Sequence, residues 1–125
     1  MGFASLNNYE LHAGVYKRPN GNDFSYSDGE YVEKFLLGAL TKATDLSVGS
    51  DELYQLIHDW PTLYHLSPSR SNLLRPLQSS LINKKILEIG AGCGAITRFL
   101  GENRNEVLAL EGSPTRSQIT RARCK

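Results

Sequence analysis

At 125 residues the chain has room for one ordinary domain, or for a small domain and half of another. Its apolar fraction of 40% and charged fraction of 22% are those of a soluble globular protein. The formal net charge is only +1 and the Lys and Arg residues are scattered, so no basic stripe is present and nucleic acid is not expected as a partner. No apolar run approaches the roughly 20 residues that span a bilayer, and the opening MGFASLNNYE lacks the apolar core of a secretion signal. Leu6 stands where the myristoylation pattern needs Ser or Thr. Cys93 and Cys124 lie in different elements and read as reduced thiols, so a cytoplasmic protein is expected. His12, His58 and His65 have no metal-ligand spacing among themselves or with the cysteines, and no metal site is expected.

Residues 1–24 are rich in Asn and Gly, with a turn cluster at Pro19-Asn20-Gly21-Asn22, and read as an irregular arm. A helical lead-in is expected over 25–82. Ser27-Asp28 would cap a first helix whose inner positions are Tyr31, Phe35, Leu36, Ala39, Leu40 and Ala43. Ser50 would cap a second, with Leu53, Leu56, Ile57 and Trp60 on one side and Pro61 ending it. Trp60 is assigned to the core. Ser67 as cap and Pro68 at the first helical position predict a short third helix through Leu74, stopped at Pro76.

From residue 83 the pattern changes to short apolar runs alternating with helical periodicity, as in a βαβ unit. Lys84–Ile89 is the first strand, apolar enough for a sheet covered on both faces. Ala95–Glu102 reads as a helix facing the sheet with Ile96, Phe99 and Leu100. Glu106–Glu111 is the second strand, and Ser113-Pro114 opens a last helix with Ile119 and Ala122 inward and Arg116, Arg121 and Arg123 outward.

Between strand and helix lie Gly90-Ala91-Gly92-Cys93-Gly94. Glycines there let the backbone turn sharply and let a ligand rest where a Cβ would intrude. The helix from Ala95 would aim unpaired N–H groups and the positive end of its dipole at that ligand. Glu111, 17 residues after Gly94, can accept hydrogen bonds from two ribose hydroxyls. Loop and acid together describe an adenosine pocket. Gly90-x-Gly92-x-x-Ala95 also fits the dinucleotide fingerprint, so an NAD- or FAD-binding fragment is an alternative. Against it, Gly94 gives the tighter GxGxG pattern. Glu88, two residues ahead of the loop, would repel a pyrophosphate but suits the ammonium of a methionine moiety. A non-catalytic interaction module on the same fold is the third possibility.

The stretches LEIGAGCGAITRFLGE and VLALEGSP resemble the first motif and the second strand of class I S-adenosylmethionine-dependent methyltransferases. The resemblance implies an α/β chain, a helical lead-in followed by the first βαβα half of a Rossmann-like methyltransferase fold over 83–125. It implies S-adenosylmethionine as cofactor, with Glu88, Gly90, Gly92 and Gly94 at the methionine part and Glu111 on the ribose. DWPTLYHLSPSRSNLLRPL and SYSDGE are similar to the lead-ins of bacterial methyltransferases fused to, or encoded beside, glycosyltransferases, which implies a small-molecule or glycan methyl acceptor. Tyr64, His65 and Arg70 are then expected to close over the cofactor, Arg70 by a two-pronged contact to the methionine carboxylate. The family's sheet has seven strands and this chain supplies two, so a truncated, inactive product is expected, with no catalytic residue assigned. Its uncovered first strand would drive a homodimer through the exposed sheet edge.

Overall fold

The computed structural model describes residues 5–21, 24 and 26–125, a mixed α/β arrangement of helices and two separate two-stranded sheets, neither closed into a barrel. Asn22 of the expected turn cluster and Ser25 at the expected start of the lead-in lie outside the described residues. The arm is not wholly irregular. Strands β1 (Glu10–His12) and β2 (Val15–Lys17) form an antiparallel hairpin with Leu11 opposite Tyr16. Ala13 and Gly14 make its two-residue turn, both with positive φ (48° and 77°), the backbone that matches the twist of paired strands. The hairpin rests on the last helix: a Cβ at Gly14 would stand 2.9 Å from the Arg121 Nε.

Helix α1 (Glu30–Lys42) buries Leu36, Leu40 and also Glu33. Tyr31, expected inside, is exposed: it lies in the first turn of α1 and off the buried stripe of Glu33, Leu36 and Leu40. Gly29 holds the cap position with φ 110° and brings no side chain. Asp28 is thereby released for a longer-range task.

The second helix is shorter than expected. Ser50 does cap α2 (Asp51–Tyr54), its side chain accepting the Leu53 N–H at 3.1 Å. The chain then breaks and restarts as α3 (Trp60–Leu66). Asp59 and Thr62 form a reciprocal capping box that nucleates it, so Pro61 sits in its first turn and does not end a helix. Trp60 is consequently at a helix start and points outward, 72% exposed, near Tyr64 one turn on. The core assignment of Trp60 is corrected. The third expected helix is reduced to α4 (Ser69–Asn72) and a 3-10 turn over Arg75–Ser80 that contains Pro76.

The βαβ unit follows the expected boundaries closely. Strands β3 (Lys85–Ile89) and β4 (Glu106–Leu110) pair in parallel, Leu87 opposite Leu108, joined through α5 (Ala95–Glu102). Ile86 and Val107 pack under Phe99 and Leu100 of α5. The opposite face is left largely open among the described residues, with Leu87 52% and Ile89 79% exposed, so the expectation of a strand covered on both faces is corrected. Among the described residues only one face of this sheet meets a helix layer.

Helix α6 (Pro114–Arg123), capped by Ser113, lies along α1. Ile119 and Ala122 join Leu36, Leu40, Leu53, Leu66 and Cys93 in the main core. Arg121 is outward as expected, but Arg116 and Arg123 are buried, against expectation. They share the i, i+3, i+4, i+7 stripe of Ile119 and Thr120, and the surroundings supply partners that a pattern of charges cannot reveal. Leu36 is fully buried between α1 and α6. Leu36→Ala is expected to destabilise the chain by about 2–5 kcal/mol, read from urea unfolding, the loss typical of a core leucine that leaves a cavity.

Candidate functional site

The glycine loop begins where β3 ends. Gly90 and Ala91 both donate to the Leu110 carbonyl at the end of β4, at 2.8 and 3.0 Å. The Gly92 N–H donates to Glu111 Oε2 at 2.7 Å, and the Gly92 carbonyl accepts from the Thr120 hydroxyl of α6 at 2.8 Å. Glu111 spends its other oxygen on the Ser113 N–H at 2.9 Å. One carboxylate thus ties the loop to the start of α6. The loop is held from beneath at every turn.

The three glycines do different jobs. Gly90, Gly92 and Gly94 all have positive φ, of 76°, 63° and 83°. A Cβ on Gly90 or Gly92 would meet no atom within 4 Å, so the space beside them is open. A Cβ on Gly94 would come within 3.0 Å of the Thr120 backbone. Gly94 is the left-handed cap residue of α5 and lets α6 approach; it contributes no side-chain oxygen to the first N–H groups of that helix. Cys93, between them, is buried in the core, and burial pushes its thiol up to about 12. It is an inert, protonated packing group.

Glu88 faces α5 and accepts from the Thr97 hydroxyl at 2.6 Å. Burial pushes its carboxyl above the usual range, partly offset by the Thr97 bond and the Arg70 charge. Arg70 lies with its guanidinium 4.4 Å from the centre of the Tyr64 ring, and Tyr64 meets the His65 ring edge-on at 5.1 Å. The predicted residues therefore form two groups: the loop with Glu111, and Tyr64, His65 and Arg70, whose charge reaches Glu88. His65 does not line the open space. It is buried, and its Nε2 is bonded to Asp28 at 2.8 Å.

Sequence reasoning missed the residues that hold this arrangement. Arg116 bonds Asp28 Oδ2 and, at 3.3 Å, Glu33 Oε1. Arg123 donates to the His65 carbonyl near the C-terminal end of α3, while its Nε has no hydrogen-bond partner among the described residues. The spacing Arg116, Ile119, Thr120, Arg123 is an inward stripe that helical periodicity alone could have exposed, had the two arginines not been assigned to solvent. Two grooves of about 410 and 390 Å³ open elsewhere, one between the hairpin, α1 and α6, the other beside α5 and the end of α6. Neither includes a residue of the glycine loop.

No family model matches the chain, and no curated protein or solved structure is similar to it.

Burial holds the His65 imidazole below its ordinary value of 6.5, outweighing the upward pull of Asp28; the Arg116 and Arg70 charges add to the downward effect. As pH falls through that value the unfolded chain takes up the proton before the folded one does. His65 therefore contributes full stability above about pH 6.5 and progressively less as pH falls toward its folded pKa. The thermal midpoint of the wild-type chain should drop between about pH 7.5 and 5.5, and His65→Gln, which keeps a nitrogen for Asp28, should drop less. Parallel slopes for the two proteins would remove His65 as the source.

Proposed function

We propose that residues 83–125 are the front of a Rossmann-like domain that binds S-adenosylmethionine, in a transferase that methylates a small molecule or glycan. The observation that carries this reading is the pairing of an open cradle with a fixed acid. Gly90 and Gly92 leave space that any Cβ would fill, and Glu111 is anchored at its rim through the Gly92 and Ser113 amides. Such a carboxylate keeps lone pairs for hydroxyl donors on a ribose, since each oxygen accepts more than one bond.

The amino-acid end of the cofactor has matching charges. Arg70 would take the methionine carboxylate, and Glu88 would take the ammonium, whose charge would relieve a carboxyl now disfavoured by burial. Tyr64, already under Arg70, would cover that end, with His65 positioning it from behind. The bound cofactor would supply an electrophilic methyl group on a sulfonium. The residues of this chain would hold and orient it, and positioning is the main contribution a protein makes to such a displacement. Both cysteines are free thiols, which fits a reducing compartment such as the cytoplasm. No helix among the described residues is long and apolar enough to cross a membrane.

Calorimetric titration tests the reading. The chain should bind S-adenosylhomocysteine and not NAD, and Gly92→Val should abolish that binding by filling the cradle. Arg70→Met should weaken S-adenosylhomocysteine far more than adenosine. Unchanged affinity in Gly92→Val, or a preference for NAD, would sink the assignment.

The same reading includes a homodimer. Among the described residues β3 pairs only with β4, and its free edge lies beside an exposed apolar face of Leu87, Ile89 and Leu110. Two such edges can meet about a two-fold axis as an antiparallel pair, which gives a four-stranded sheet. Light scattering at tens of micromolar should give the dimer mass, and a monomer mass would rule it out. A folded Leu87→Pro variant that kept the dimer would exclude edge pairing, because proline removes a ladder donor.

A further inference from the structure

Phe24, ahead of α1, comes to rest on the turn that follows Glu111. The Phe24 N–H donates to the Gly112 carbonyl at 3.3 Å. A Cβ on Gly112 would stand 3.0 Å from the Phe24 Cβ and 3.3 Å from its ring, so a residue without a side chain admits the phenyl group there. Tyr26 stacks near Phe24, with ring centroids 6.4 Å apart and 23° between planes. Tyr26 in turn lies against the Arg116 guanidinium at 4.6 Å, and Asp28 is bonded to both Arg116 and His65. Phe24, Tyr26 and Asp28 are thus each fastened to the fold. Its two rings nevertheless remain 60% and 58% exposed. An aromatic side chain can bury about 150–250 Å², and here that opportunity is left unused at one place, beside the anchored acid.

The chemistry of a nucleoside says what belongs there. The base is attached at C1′, one carbon from the 2′-hydroxyl, so a ribose held by Glu111 puts its base within a residue or two of Gly112. We propose that Phe24, backed by Tyr26, is the stacking wall for the purine ring of the ligand. This rests on the reading of Glu111 as the ribose acid. A π face selects a flat base without reading its edge, and stacking of this kind commonly changes affinity by tenfold or more.

The experiment is titration of the chain with S-adenosylhomocysteine and with adenosine, in the wild type, Phe24→Leu and Phe24→Tyr. Phe24→Leu keeps an apolar contact on Gly112 and removes the ring; it should weaken both ligands by about the same tenfold factor. Phe24→Tyr should restore the wild-type values. Wild-type affinity in Phe24→Leu, or equal losses in both variants, overturns the wall while leaving the cofactor reading intact. A wild-type chain that binds neither ligand overturns both. Independently of any variant, the Phe24 ring resonances of the wild-type chain should shift when adenosine is added. Bound adenosine with unmoved Phe24 resonances overturns the proposal.

Discussion

Arg116 is a buried guanidinium, and the arrangement around it is a solution to the problem of neutralising it. Asp28 and Glu33 supply the two carboxylates, from the segment before α1 and from α1 itself. Asp28 is shared with His65, so α3 is drawn into the same cluster. Removing one member of such a group would leave the others buried without a counter-charge, a loss of about 3–5 kcal/mol. Four stretches of chain are thus held to one point by charge and not by apolar area alone. Because Arg116 lies on the first turns of α6, shortly after Glu111, the cluster also fixes where that helix begins.

The glycine loop inherits its rigidity from this anchoring. Thr120, one turn along α6 from Arg116, grips the Gly92 carbonyl, and Gly94 allows the close approach that makes this possible. Glu111 grips the Gly92 N–H from the other side. The loop therefore has both polar groups of one residue committed to protein while its outer surface stays open. A cradle that is already rigid loses little freedom when a ligand enters, which is how preorganisation contributes to affinity.

Legibility from sequence followed one physical distinction. In β3, α5, β4 and α6 the local pattern and the residues at the element ends agree, so the boundaries could be read to within a residue or so, although the burial of β3 and of the α6 arginines could not. The glycine motif belongs to this class because its steric need is local. Between Ser27 and Ser80 local and tertiary signals compete. Leu56 and Ile57 are half-buried as the periodicity of the expected second helix demands, yet α2 ends before them and the Asp59–Thr62 capping box starts a new helix, which reverses the meaning of Pro61 and Trp60. The buried arginines were misplaced for a different reason, although they share the inward stripe of Ile119 and Thr120. A charged side chain is placed inside only by its partners, and those stand 83 and 88 residues away for Arg116 and 58 for Arg123. The hairpin at Ala13-Gly14 was missed because three-residue strands carry too little periodicity to register.

The pairing of α1 with α6 also dictates an order of events as the chain is made. The β3–α5–β4 unit joins neighbours about twenty residues apart and can collapse locally and early. The main core cannot be completed so early, because Leu36 and Leu40, though packed with Leu53 and Leu66, lack Ile119 and Ala122 until α6 exists, and Glu33 has no guanidinium until Arg116 does. During synthesis α1 must therefore wait with its stripe only partly covered while the residues up to α6 are added, at a pace of about 5–20 residues per second. For those seconds the nascent chain offers a partly covered amphipathic helix to whatever else is present, and chaperone engagement would be most useful over that interval.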